Sequence, residues 1–147
     1  MSDLEGYLII ETRGDRPGLV RVFSSPQNPT PSDVAAADPT RPRIRYAAFF
    51  PALHVARMHA QTALRRSMLD AEAGLYRTDP VTAAAAVDAI DLSHRRVYLA
   101  PEIESDPGFR AARVKRSRRH RLANHIWTAV GVLALILLFL FAQIPVF

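Results

Sequence analysis

From Trp127 the sequence reads WTAVGVLALILLFLFAQIPVF, 21 residues without a charge and with only Thr128 and Gln143 clearly polar. A helix of that length spans about 31 Å at 1.5 Å per residue, which matches a bilayer's hydrocarbon core. A buried helix of a globular protein needs further chain to cover it, and none follows. The expectation is one C-terminal transmembrane helix, residues 126–147, anchoring a small domain.

The distribution of charge sets the expected orientation. The net charge is +5, yet every one of the 14 acidic residues precedes Arg110, where twelve arginines offset them. Beyond that point stand seven cations and no acid: Arg110, Arg113, Lys115, Arg116, Arg118, Arg119 and Arg121. Cations flanking a span stay on the cytoplasmic side. The expected placement is therefore a single-pass, tail-anchored protein of the cell inner membrane, with its N-terminal domain cytoplasmic and its C-terminus on the far side. The acidic start, Met-Ser-Asp-Leu-Glu, lacks the apolar core of a signal peptide. Trp127 falls where an interfacial aromatic belt would sit. The seven cations, with Trp127, are candidate contacts to anionic lipids, each cation contributing roughly 1 kcal/mol near such a surface. A sharper alternative is a grip on nucleic acid or an acidic protein. The chain has no cysteine, so disulfides and thiolate metal sites are excluded.

The remaining chain reads as a small α+β domain, residues 1–100, followed by a linker and basic juxtamembrane helix, 101–125. GYLIIET (6–12), LVRVFS (19–24) and IRYAAFF (44–50) are strand candidates, the first two joined by a glycine- and proline-containing hairpin. Pro51 opens a helix expected to run to about Asp70, with Leu53, Ala56, Ala60, Leu64 and Ser67 as its apolar stripe of large and small residues. Leu75–Arg77 is short and extended. Asp79 caps a second, alanine-rich helix that starts at Pro80 and reaches about Ile90. Residues 97–100 suggest an edge strand, and Asp106-Pro107-Gly108 a break before the basic helix. The predicted core element is a three-stranded antiparallel sheet with covering helices.

Several of these segments, taken in order, resemble the GIY-YIG nuclease superfamily, in its phage and stress-gene branch. Gly6-Tyr7-Leu8-Ile9 with Leu19-Val20-Arg21-Val22 is similar to its opening hairpin. Ile44-Arg45-Tyr46-Ala47 resembles its third strand, Ala56-Arg57-Met58-His59-Ala60 its histidine helix, and Gly74-Leu75-Tyr76-Arg77-Thr78-Asp79-Pro80 the stretch leading into its next helix. The resemblance implies Tyr7 and His59 as vestiges of a catalytic site. It also implies that catalysis is lost. Phe23 stands where a glycine is expected, residues 29–33 contain no arginine, Val55 replaces a glutamate, and Gly74 occupies the place of the metal-binding glutamate. Phosphodiester hydrolysis without that carboxylate and that arginine lacks both nucleophile activation and charge stabilisation.

No cofactor, metal site or small-molecule substrate is expected, because the five histidines are scattered and carry no carboxylate partners in sequence. Arg57, Arg65, Arg66 and Arg77 form a solvated face or a docking surface for an acidic partner. The function expected is a membrane-tethered, catalytically inactive protein-interaction module. It would be an accessory or assembly subunit of an integral membrane protein complex. The alternatives are a membrane-associated, metal-dependent DNA endonuclease and a nucleic-acid or lipid tether working through residues 110–121.

Overall fold

The computed structural model describes residues 5–29, 38 and 40–142, excepting the side chains of 119–124 and 142. Three strands come first: β1 (Gly6–Thr12), β2 (Leu19–Ser25) and β3 (Arg43–Phe50). They are followed by helix α1 (Leu53–Leu64), a 3₁₀ turn (Arg65–Ser67), β4 (Met68–Asp70) and β5 (Leu75–Arg77). The chain continues through α2 (Pro80–Asp88), β6 (Arg95–Leu99), a short α3 (Pro101–Glu104) and a 36-residue α4 (Pro107–Ala142).

All strands belong to one antiparallel sheet in the order β4-β5-β2-β1-β3-β6. The three expected strands form its centre, but the sheet has six strands among the described residues. The expectation of a three-stranded sheet is thus corrected. Its physical reason is that β4, β5 and β6 are too short to show alternation and exist through pairing with neighbours. Helix α1 stops at Leu64 rather than near Asp70 for the same cause: Met68 pairs with Tyr76 and Asp70 with Leu75.

Alternation assigns the two sheet faces. Leu8, Ile10, Val20, Val22, Tyr46, Ala48 and Phe50 point to the helices and join Leu53, Ala56, Ala60 and Leu64 in the main core. The opposite face holds a smaller cluster of Ile9, Ile44 and Ala47, flanked by Tyr7, Phe23 and Tyr98. Helix α2 is buried along nearly its whole length, with Ala83, Ala84, Ala85 and Ala86 at most 3% exposed. It touches the sheet, α1 and α4 together, and methyl-sized side chains are what let three neighbours approach one helix. Aspartate–proline pairs start the helices cleanly. The Asp79 carboxylate accepts from Thr82 N at 2.9 Å, and Asp106 accepts from Gly108 N at 2.7 Å.

Helix α4 begins inside the domain: Phe109 is 3% exposed and Ala112 packs against the core. It then continues without a break through the basic segment into the apolar stretch. No helix among the described residues is long and apolar enough to cross a membrane. Residues 126–142 amount to about 25 Å of helix, against about 30 Å of hydrocarbon. The expected single-pass span, its tail-anchored topology and the inner-membrane placement that followed from them are therefore not supported. The final part of that span, residues 143–147, lies outside the described residues.

Candidate functional site

The two residues that the family resemblance singled out do not meet. Tyr7 lies on the sheet face without helices, half-buried and edge-on to Phe49 with ring centroids 5.4 Å apart. His59 is exposed on α1, whose apolar stripe packs on the other face. A sheet separates them, so they cannot act on one phosphate. Gly74 also departs from a metal-binding position. It has φ +66°, and a Cβ built there would stand 2.2 Å from the carbonyl oxygen of Val22. No glutamate fits.

The strongest electrostatic centre is one that sequence reading did not single out. Asp88, at the end of α2, has its side chain 2% exposed and is surrounded by donors. The guanidinium of Arg96 on β6 donates to both carboxylate oxygens at 2.8–3.1 Å. Arg113 on α4 reaches Oδ2 at 2.9 Å, and the Tyr46 hydroxyl on β3 donates to Oδ1 at 3.0 Å. His94 stands near by, stacked on Phe50, with Nε2 at 3.8 Å from Oδ1. A bidentate arginine and a phenol satisfy the carboxylate's acceptor positions and the second arginine adds a counter-charge, which is what a buried charge requires. This arrangement ties α2, β3, β6 and α4 to one point. The sequence signal for it was the lone acid in VTAAAAVDAI with arginines following.

Burial, together with the facing Asp88 carboxylate, pushes the Tyr46 hydroxyl well above its ordinary value of 10.0. In the unfolded chain the phenol ionises near pH 10, while in the folded protein it keeps its proton. The folded state then holds the extra proton, so this stabilisation is complete below about pH 10 and is lost as pH rises further. The expected loss approaches about 1.4 kcal/mol per pH unit. Thermal melting of the full chain between pH 9 and 11.5 checks it. Tyr46→Phe is expected to show a shallower alkaline decline, and identical slopes would refute the assignment.

The candidate contact residues are distributed as follows. Arg57, Arg65, Arg66 and Arg77 are exposed. Arg77 sits next to Tyr76 on β5 and so points to the opposite sheet face from it, away from α1; the four do not make one patch. Arg110, Lys115 and Arg118 are exposed along α4. Arg116 is partly buried, and Arg113 is held by Asp88. The side chains of Arg119 and Arg121 lie outside the described residues. Trp127 is 75% exposed at the start of a helical stretch that is apolar but for Thr128. That stretch is apolar on every side, with Leu135, Leu138 and Phe141 each 70% exposed and Phe139 65%.

No protein-family model, no curated protein and no solved structure matches this chain. The resemblance to the GIY-YIG superfamily is corrected accordingly. The absence of a family match and the six-stranded sheet both stand against it, as does the separation of Tyr7 from His59.

Proposed function

We propose that the chain is a protein-interaction module without catalytic activity, an accessory or assembly subunit held in a larger protein complex through the far part of α4. The observation that carries this reading is the exposed apolar helix from Ile126 to Phe141. A helix that is apolar all round is buried in its working state. Among the described residues nothing of this chain covers it. Each large side chain there gains roughly 1.5–3 kcal/mol on burial, so a few of them suffice for a stable interface. A groove in another protein chain provides such cover at this length. The Asp88 cluster supports the reading from the other side, since its donors and acceptors are consumed in holding α4 to the domain.

The test is site-specific photo-crosslinking from Leu135 or Leu138 in the full chain in its native cells, followed by isolation in mild detergent. The expected result is a crosslink to one protein present in fixed stoichiometry. Replacing Leu135, Leu138 and Phe141 together by glutamate is expected to weaken that association more than a hundredfold. Crosslinks to lipid alone, or a lone monomer under several gentle conditions, would overturn the proposal.

A further inference from the structure

A cavity of about 130 Å³ opens between α1, the end of β2 and the turn of residues 71–74. Leu8 and Ala60 form part of its apolar wall, and Arg57, Gln61, Tyr76 and Glu72 supply polar groups. The turn is rigidly built. Asp70 Oδ1 accepts from the amides of Glu72 and Ala73 at 2.9 and 3.0 Å, and Val22 N donates to Gly74 O at 2.9 Å.

Two buried tyrosines behave differently in this fold. Tyr46 has its hydroxyl bonded to Asp88. Tyr76 is 1% exposed, lines the cavity, and has no hydrogen-bond partner among the described residues. Yet its oxygen is not among the fully enclosed, unpartnered polar atoms, so the hydroxyl retains contact with open space, which the cavity provides. Buried polar groups in native proteins are almost always paired. A phenol with no acceptor from the protein at the wall of a cavity is free to donate to a ligand that enters it.

The surrounding charge identifies the acceptor. Arg21 also borders the cavity, but it is committed to Glu11 at 3.1 Å and to the carbonyl of Ala73 at 3.3 Å. Arg57 has no such acid and is close enough to Tyr76 to act on its ionisation. Burial raises the Tyr76 hydroxyl above its ordinary range while Arg57 opposes the rise, so the phenol remains a donor at neutral pH. Glu72 on the rim disfavours a dianion.

We propose that this cavity is a carboxylate-binding site, in which the Tyr76 hydroxyl donates to one oxygen and the Arg57 guanidinium neutralises the charge. Gln61 completes the donor set through its amide. One monoanionic group fits both the volume and Arg57, the one cation without an acid partner among the described residues that line the cavity. The group belongs either to a free small carboxylic acid or to an aspartate or glutamate side chain of a peptide. The assignment stands independently of what covers α4.

The experiment is an NMR titration of the full chain in mild detergent, labelled at tyrosine rings and arginine side chains. The ligands are sodium acetate, a capped tri-glutamate peptide and inorganic phosphate at constant ionic strength. Saturable shifts at Tyr76 and Arg57 with acetate or the peptide are expected. Tighter binding of acetate assigns the site to free acids, and tighter binding of the peptide assigns it to acidic residues. Tyr76→Phe, which keeps the ring and the packing, is expected to weaken binding about tenfold, as is Arg57→Gln. Arg65→Gln is expected to leave binding unchanged. Lack of saturation with both carboxylates would overturn the proposal. So would tighter binding of phosphate, or unchanged affinity in both Tyr76→Phe and Arg57→Gln.

Discussion

Replacing Asp88 by alanine is expected to destabilise the protein by about 3–5 kcal/mol, the range seen when one partner of a buried ion pair is removed. The carboxylate is 2% exposed, accepts from Arg96 and Tyr46, and is ion-paired with Arg113. Its loss strands a buried phenol, which alone costs about 1–3 kcal/mol. It also leaves two guanidinium groups without their counter-charge. Arg96 and Arg113 keep 32% and 53% of their side-chain surface in water, so rehydration offsets part of the loss and the lower end of the range is favoured. Asp88→Asn separates the contributions, because an amide oxygen still accepts from Tyr46 while the charge is gone. It should fall between wild type and Asp88→Ala. Urea unfolding of the full chain in mild detergent measures both. Hydrogen exchange adds a directional check, since the amides around Arg113 should lose protection in Asp88→Ala. A change below about 1 kcal/mol would show that the cluster does not hold α4.

Gly74→Ala is expected to be nearly as damaging, at about 3 kcal/mol, for a backbone reason. The residue has φ +66°, a conformation that costs an ordinary L-residue about 1–2 kcal/mol. Its Cβ would sit 2.2 Å from the Val22 carbonyl oxygen, far inside contact distance. That oxygen belongs to β2 and cannot swing aside as a side chain does. Relief therefore requires the 71–74 turn to move, which breaks the bond from Val22 N to Gly74 O and shifts the pairing of β5 with β2. The same denaturation experiment reads the loss. A melting curve indistinguishable from wild type would mean that the turn adapts freely, and the rigid wall ascribed to the carboxylate cavity would go with it.

What was legible in the sequence was local chemistry. Asp79-Pro80 announces a helix start because capping needs only a carboxylate, a proline and the next few amides, and the break expected at Asp106-Pro107-Gly108 is where α4 begins. The three long strands, β1 to β3, showed their alternation over seven or eight residues. Tertiary pairing was not legible. Met68–Asp70 read as the end of a helix, since nothing within three residues reports that Tyr76 will lie opposite Met68. Asp88 does not stand out in the sequence, because its partners Tyr46, Arg96 and Arg113 come from three separate segments. Arg113 is one of the basic cations after Gly108, and its pairing with Asp88 is invisible in sequence because 25 residues separate the two. The apolar stretch after Trp127 is the plainest feature of all, and it is helical through Ala142, the last described residue. Its assignment to a bilayer was not supported by the described helix.

The unbroken backbone of α4 has a mechanical meaning. Thirty-six residues rise about 54 Å, and the first turns are fixed to the domain by Phe109 and by the Asp88–Arg113 contact. The two ends thus share one rotational phase, each residue between them contributing about 100°. Whatever grips the apolar end also aims the domain, and an insertion in the intervening basic segment would swivel the sheet around the rod as a misaligned key turns in its barrel.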